Sequence, residues 1–498
     1  MMALESHLPI LQVIVPLFGA LITAFMRRGT LAWLSALIVC WAAAAISVLL
    51  LIRVLTVGAP VSYVMGDWGI PWGIEYRVDA FNAFVLTVVT GIAAVLMPYA
   101  RKSVAFEIAA HQQAWFYSMF LLCLTGLLGI AVTGDAFNVF VFLEISSLST
   151  YVLIALGHNR RALLASYQYL IIGTIGATFY VIGIGLIYLV TGSLNLHDIS
   201  GRLAEAYAVY PHPVMTGLAF LIVGISLKLA LFPLHVWLPN AYAHAPSAAT
   251  VFLAGTATKV AVYLLIRILF SMFGVAIDFN ELPVADVLIV LSVAAMFIAS
   301  FAAVFEENAK RMLAYSSVAQ IGYITLGIGL ANQSGLTGSI VHMLNHAVTK
   351  ATLFMCLGAI VCRTASMRFT DLAGIGRKMP LTSVAFVLAG LSLIGVPGTA
   401  GFISKWYLAV GALDKGYWSL VFLIVLSSLI AVIYIGRFVE IAYFRDPSPC
   451  AANAHEPTAS MLIPTLLLAA ATVYFGLDTR ASADIAAIAS QQLLGGLK

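Results

Sequence analysis

Residues 217–265 read GLAFLIVGISLKLALFPLHVWLPNAYAHAPSAATVFLAGTATKVAVYLL. Two apolar runs, each long enough to approach a membrane crossing, carry Lys228 and Lys259 well inside them. Between the runs stands a Pro- and His-bearing break, Phe232-Pro233 through His244-Ala245-Pro246. A lone charge at bilayer mid-depth costs roughly 2.5–3.5 kcal/mol on insertion scales and is usually functional. Two such lysines beside a broken helix point to an internal ion path.

The rest of the chain has the same character. Hydrophobic residues make up 62% and charged residues 9%, against roughly 25% charged in a soluble domain, and the mean hydropathy is +1.03. The expected class is an all-α polytopic membrane protein, because backbone groups in lipid must pair within a helix or a closed barrel, and a barrel shows short alternating segments instead. Leu8 to Met26 is followed at once by Arg27-Arg28 and is expected to stay as the first helix. The net charge of +4 is spread over short loops without aromatic-basic interleaving, so nucleic acid is a poor partner. The five cysteines have no metal-site spacing and are expected to pack.

Spanning segments fall near residues 8–26, 30–54, 79–99, 115–132, 135–156, 163–190, 214–232, 247–272, 283–304, 311–331, 336–361, 380–410, 417–444 and 459–476, about fourteen in all. Segment 12 is too long for one straight crossing and contains Gly395-Val396-Pro397-Gly398, so segments 7 and 12 are both expected to be interrupted. Many transporters repeat such broken helices in corresponding halves. Segments 4–8 (115–272) and 9–13 (283–444) form the expected repeats, with 1–114 before them and 459–498 after them. Five crossings separate the copies, an odd number, so they are expected to be inverted.

Loop charge gives an orientation. Lys and Arg number 13 on one side (Arg27 to Arg445) and 5 on the other, and the richer side is expected to be cytoplasmic. Both termini then face outward from a cell inner (plasma) membrane. Arg53, Arg267 and Arg437 lie toward segment ends, where long side chains snorkel to headgroups. Lys228, Lys259, Lys350 and Lys405 lie deeper and carry the chemistry.

Lysine suits a relay because it can release a proton on desolvation, whereas arginine stays charged. Glu144, in FLEISSLST, is expected to pair with a cation such as Lys228; a static buried salt bridge is the competing reading. Asp135 follows Thr133-Gly134 and reads as a helix start. His244 is expected to bridge Lys228 and Lys259 through water. His342, His346 and Lys350 recur every four residues, on one helical face, which fits a water-lined proton path better than a polar packing stripe. No HExxH pattern or convergent carboxylate supports a metal there. Lys405 follows the second break and reads as the terminal relay, with snorkelling beside Trp406 and Tyr407 as the alternative. Tyr315, Ser316 and Ser317 either line the path or cap and pack a helix.

Together, FNVFVFLEISSLSTYVLIAL (137–156), SLKLALFPLHVWLPNAYAHAPSAAT (226–250), the Lys259 helix, the Lys310–Tyr323 run, the His342/His346/Lys350 triplet and LIGVPGTAGFISKWYL (393–408) carry a resemblance. Over residues 8–476 the chain resembles the antiporter-like subunits shared by respiratory complex I, membrane-bound hydrogenases and Mrp-type cation/proton antiporters, and is most similar to the D-type branch of the Mrp antiporters. The resemblance implies a fourteen-helix core with inverted repeats and a hydrated axis across the membrane plane. It maps the family's segment-5 glutamate and segment-7 lysine onto Glu144 and Lys228, the segment-8 lysine onto Lys259 and the segment-12 relay residue onto Lys405.

The function this implies is proton translocation coupled to export of Na⁺ or another monovalent cation, within a hetero-oligomer of membrane subunits. The sequence has neither clustered Cys ligands for iron–sulfur nor a Rossmann glycine pattern, so no cofactor or catalytic redox centre is expected. The alternatives are a proton-pumping subunit of a redox-driven complex, a membrane coupling subunit for inorganic carbon uptake, and a structural assembly subunit with vestigial charges.

Overall fold

A computed structural model describes residues 6–157, 159–274 and 282–495. Lys498, counted above among the loop charges, lies outside the described residues. The crossings are α1 (Leu8–Ala24), α2 (Gly29–Val57), α3 (Ala80–Glu107), α4 (Gln113–Val132), α5 (Ala136–Ala155), α6 (Arg160–Thr191), α7a (Pro211–Leu229) with α7b (Trp237–His244), α8a (Ser247–Gly255) with α8b (Ala257–Ile266), α9 (Val284–Phe305), α10 (Ala309–Leu330), α11 (Gln333–Thr364), α12a (Pro380–Ile394) with α12b (Ala400–Asp414), α13 (Trp418–Val439) and α14 (Ala459–Leu477). A small hairpin, Val61–Val64 against Glu75–Val78, caps the bundle between α2 and α3.

Twelve of the described helices are long and apolar enough to cross a membrane unaided. The two remaining expected crossings differ for physical reasons. α1 has 17 residues, and the twelfth is split into halves of 15 residues by the glycine-rich break. Helix starts are set by side chains that accept from otherwise orphaned backbone N–H groups: Asp79 caps α3, Asp135 caps α5 and Asn308 caps α10.

The internal repeat is visible in detail. α6 and α11 each have 32 residues and end on a left-handed residue, Gly192 and Ala365. The next segment then pairs with the start of the preceding crossing. Ala136 N–H donates to Leu194 O and Leu196 N–H to Gly134 O, both at 2.8 Å; Ala309 N–H donates to Met367 O at 2.9 Å and Phe369 N–H to Glu307 O at 3.0 Å. α7a and α12a both begin on proline and end against a left-handed residue, Ala230 and Gly395. Ser146 and Ser147 bond back to Leu143 O as Ser316 and Ser317 bond back to Leu313 O.

α8 and α10 are the most enclosed crossings, followed by α4 and α11, whereas α2 and α14 face mostly outward. A third interruption, unforeseen in the sequence, divides α8 at Thr256 (φ −126°, ψ −54°). The described chain ends gather on one face, where His7 bonds Tyr63 and Gln333 bonds Ser490. The opposite face carries Arg160, Arg161, Lys310 and Arg311 and is called the basic face below.

Candidate functional site

Lys228 is the penultimate residue of α7a and is buried. Its Nζ donates to Ser147 Oγ on α5. Glu144 lies one turn from Ser147, on the same helical face, and one of its carboxylate oxygens is buried without a hydrogen-bond partner among the described residues. The carboxylate acts on Lys228 through space, but among the described residues the two make no ion pair within 4.0 Å. The expected direct pairing is therefore replaced by a serine contact.

Lys259, near the start of α8b, is 1% exposed. Its Nζ donates to Ala254 O, beside the Thr256 interruption, and to Thr258 Oγ1 at 3.3 Å. The broken helix thus leaves a backbone acceptor for an ammonium group deep in the bundle. A ridge on α11 faces it: the charges of Lys259 and Lys350 both reach His346. Lys350 Nζ donates to Leu313 O at 2.8 Å and to Ser316 Oγ on α10. Ser316 thus accepts from Lys350 while its own hydroxyl bonds back to Leu313 O.

His346 and His342 stack with ring centroids 6.0 Å apart. His342 joins three crossings, Nδ1 meeting Ser404 Oγ at 2.7 Å and Nε2 meeting Gln320 Oε1 at 3.0 Å. Among the described residues, both ring nitrogens of His346 and Oδ1 of Asn345 are buried without a hydrogen-bond partner. These side chains line a cavity of about 10 Å³ that also touches Gln320, Thr349 and Ser392, and roughly 10–15 Å³ holds one water.

Lys405 Nζ turns inward from α12b, donating to Leu393 O (3.1 Å), Ile394 O (2.8 Å) and Ser428 Oγ (2.9 Å). The first two are carbonyls that the α12 break leaves outside the regular helix ladder. Its neighbour Trp406 points outward, 59% exposed, while Lys405 is 7% exposed. Snorkelling does not describe Lys405. Nor is it the positional counterpart of Lys228, which precedes its break whereas Lys405 follows.

Two further expectations are corrected. His244 does not sit between Lys228 and Lys259: α7b carries the chain on to the basic face, where the charges of Arg161, Arg311 and Lys310 act on its ring. Lys310 Nζ contacts the next carbonyl, Ala245 O, at 3.5 Å and Ser247 Oγ at 2.9 Å. Arg267 and Arg437 do not snorkel either. Arg267 forms an ion pair with Asp79 at 2.5 Å, and Arg437 donates to Val304 O at 2.9 Å and Glu306 O at 2.8 Å. Ser147, Ser404, Gln320, Tyr323 and Ser428 complete the site and were not singled out as relay partners from the sequence; their only signal is a polar side chain inside an apolar run.

Known proteins place this geometry. NADH-quinone oxidoreductase subunit N of Desulforudis audaxviator is 41% identical over 496 residues, covering 95% of this chain and 96% of that protein. The D-type subunit of the Na⁺/H⁺ antiporter of Bacillus subtilis is 26% identical over 478 residues, covering 95% and 94%. A chain in the structure of the Mrp complex from Dietzia sp. superposes with a TM-score of 0.89 at 27% identity, covering 99% of this chain and 98% of that one. The sequence profile described as NADH:quinone oxidoreductase/Mrp antiporter, TM, matches residues 133–431, and the chain belongs to that family.

Proposed function

We propose that the chain is the proton-translocating subunit of a multisubunit Mrp-type cation/proton antiporter, coupling proton movement to Na⁺ export. The observation that carries this reading is the row of buried amines and imidazoles from Lys228 through Lys259, His346, Lys350 and His342 to Lys405. Each of the four lysines is held by neutral oxygens. An amine so held is not locked as half of a fixed ion pair, and imidazoles between amines pass protons in either tautomer.

In this mechanism Lys228, poised between Ser147 and the Glu144 charge, sets the state of Lys259. Protons then move along the His346, Lys350 and His342 ridge to Lys405, which releases them at the break in α12. His244, at the basic face, stands outside this line. Residues 115–272 and 283–444 act as the two transporting repeats, with 1–114 and 459–498 flanking them. The basic loops support a cell inner (plasma) membrane orientation with both termini on the outer side, and the relatives' names support partner membrane subunits.

The experiment is purification with native partners, followed by proton and Na⁺ flux in proteoliposomes for wild type and Lys228→Ala. Cation-dependent proton movement in wild type, lost in the variant while assembly persists, is expected; equal fluxes would remove the relay. The 41% identity to a NADH-quinone oxidoreductase subunit favours a second reading, a proton-pumping subunit of a redox-driven complex. Cluster-bearing soluble partners would establish it over the antiporter, which calls for hydrophobic partners only.

A further inference from the structure

We propose that Arg267 and Arg437 are inverted plugs, one per repeat, closing opposite membrane faces so that protons must cross between the repeats. This rests on the relay reading above. Both arginines lie near the end of the last helix of a repeat, where that helix loosens into π-turns, Arg267–Phe273 after α8b and Glu440–Phe444 after α13.

At the face of the chain ends, a cleft of about 420 Å³ is lined by Glu75, Arg77, Asp79, Asn82, Tyr263 and Arg267, among others. Its inner wall is a dense polar cluster. Arg267 pairs with Asp79, donates to Asn82 Oδ1, to Tyr263 Oη at 3.2 Å and to Ser271 Oγ at 3.2 Å, and lies 5.3 Å from the centroid of the Phe81 ring. Asn82 Nδ2 and Tyr263 Oη both bond Ala131 O, which ties the cluster to α4. Tyr263 and Lys259 follow at four-residue steps along the same helical face.

Arg437 holds the corresponding place at the basic face, without a carboxylate partner among the described residues. Two backbone carbonyls and the Phe369 ring, 4.7 Å from its guanidinium carbon, hold it. Tyr434, one turn back, lies beside Ser316, the hydroxyl that Lys350 bonds. A guanidinium cannot give up its proton in a protein, so it relays nothing, and a fixed cation with no gap around it repels protons. Arg267 therefore bars Lys259 from the face of the chain ends, and Arg437 bars Lys350 from the basic face.

The test uses the purified complex in proteoliposomes, with passive proton uptake read under an imposed potassium diffusion potential. Arg267→Met keeps the stem and removes the fork. Its passive proton flux is expected to rise roughly tenfold, which corresponds to about 1.4 kcal/mol of barrier, and to return to the wild-type level in Arg267→Met/Lys259→Ala. Arg437→Met is expected to leak likewise until Lys350→Ala is added. Tight vesicles with either single variant, or a leak that survives loss of the lysine, overturns the plugs. A thiol assay needs neither transport nor an arginine variant, and so separates this inference from the relay. With Cys362 and Cys450 changed to Ser, Ser271→Cys in the cleft is expected to react with an impermeant maleimide from the face of the chain ends. Thr258→Cys, beside Lys259, is expected to stay unlabelled from that face, and its labelling equally overturns the plug.

Discussion

Lys405 stands over the face of Tyr323, its Nζ 4.5 Å from the ring centroid, and both side chains meet the hydroxyl of Ser428, at 2.9 and 3.2 Å. The same ring lies 5.8 Å from that of His342. Tyr323 is thus the surface shared by the last imidazole of the ridge and the terminal amine. Removing the aromatic face by Tyr323→Leu is expected to cost the charged amine about 1–2 kcal/mol. Cation-dependent proton flux should fall by about the corresponding tenfold. Tyr323→Phe keeps the ring and should lose much less; equal losses would shift the role to the hydroxyl.

Ser147 and Ser146 provide a matched pair on α5. Both bond back to Leu143 O, but only Ser147 accepts from Lys228. A hydrogen bond to a charged group contributes roughly 1.5–3 kcal/mol. Ser147→Ala is therefore expected to reduce flux about tenfold or more, and Ser146→Ala to leave it near wild type. Equal behaviour of the two in the proteoliposome assay would show that the Lys228 contact does not matter to transport.

The α6–α7a seam is built on close backbone approach. A methyl group added at Gly224 would stand 2.6 Å from Gly176 O and 2.8 Å from Tyr180 N, both backbone atoms that cannot yield like a flexible side chain. Overpacking of this kind costs typically about 1–3 kcal/mol. Gly224→Val is expected to lower the thermal denaturation midpoint of the purified complex and, by lifting α7a one turn before Lys228, to reduce transport. Gly185→Val is the control, since nothing lies within 4 Å of a methyl group added at Gly185, and it should change neither.

The sequence exposed what depends on local composition. Apolar runs located the crossings, proline and glycine marked the breaks in α7 and α12, and charge depth picked out Lys228, Lys259, Lys350 and Lys405. What it hid depends on where distant segments meet. Thr256 breaks α8 without a proline, and the lysine that exploits the break is itself the reason the free carbonyl is tolerated. His244 is close to both lysines along the chain, yet α7b completes the crossing that α7a begins and leaves it at the basic face, beside the start of α8a. Arg267 looked like an interfacial side chain because Asp79, its partner, is 188 residues away.

His346 offers a separation of function from stability. Its two ring nitrogens are buried without a partner among the described residues and line the small cavity shared with Asn345. Burying the polar edge of an imidazole costs free energy even where a water is taken in to meet it. His346→Phe removes that cost, keeps a ring to stack on His342 and fills the water-sized space, so the assembled complex is expected to denature at the same or a higher temperature. If protons pass here, cation-dependent flux should nevertheless fall by about tenfold or more, because the phenyl ring neither binds nor releases a proton. A variant that is both stable and fully active would mean that the ridge on α11 only packs, and that protons reach Lys405 by another course.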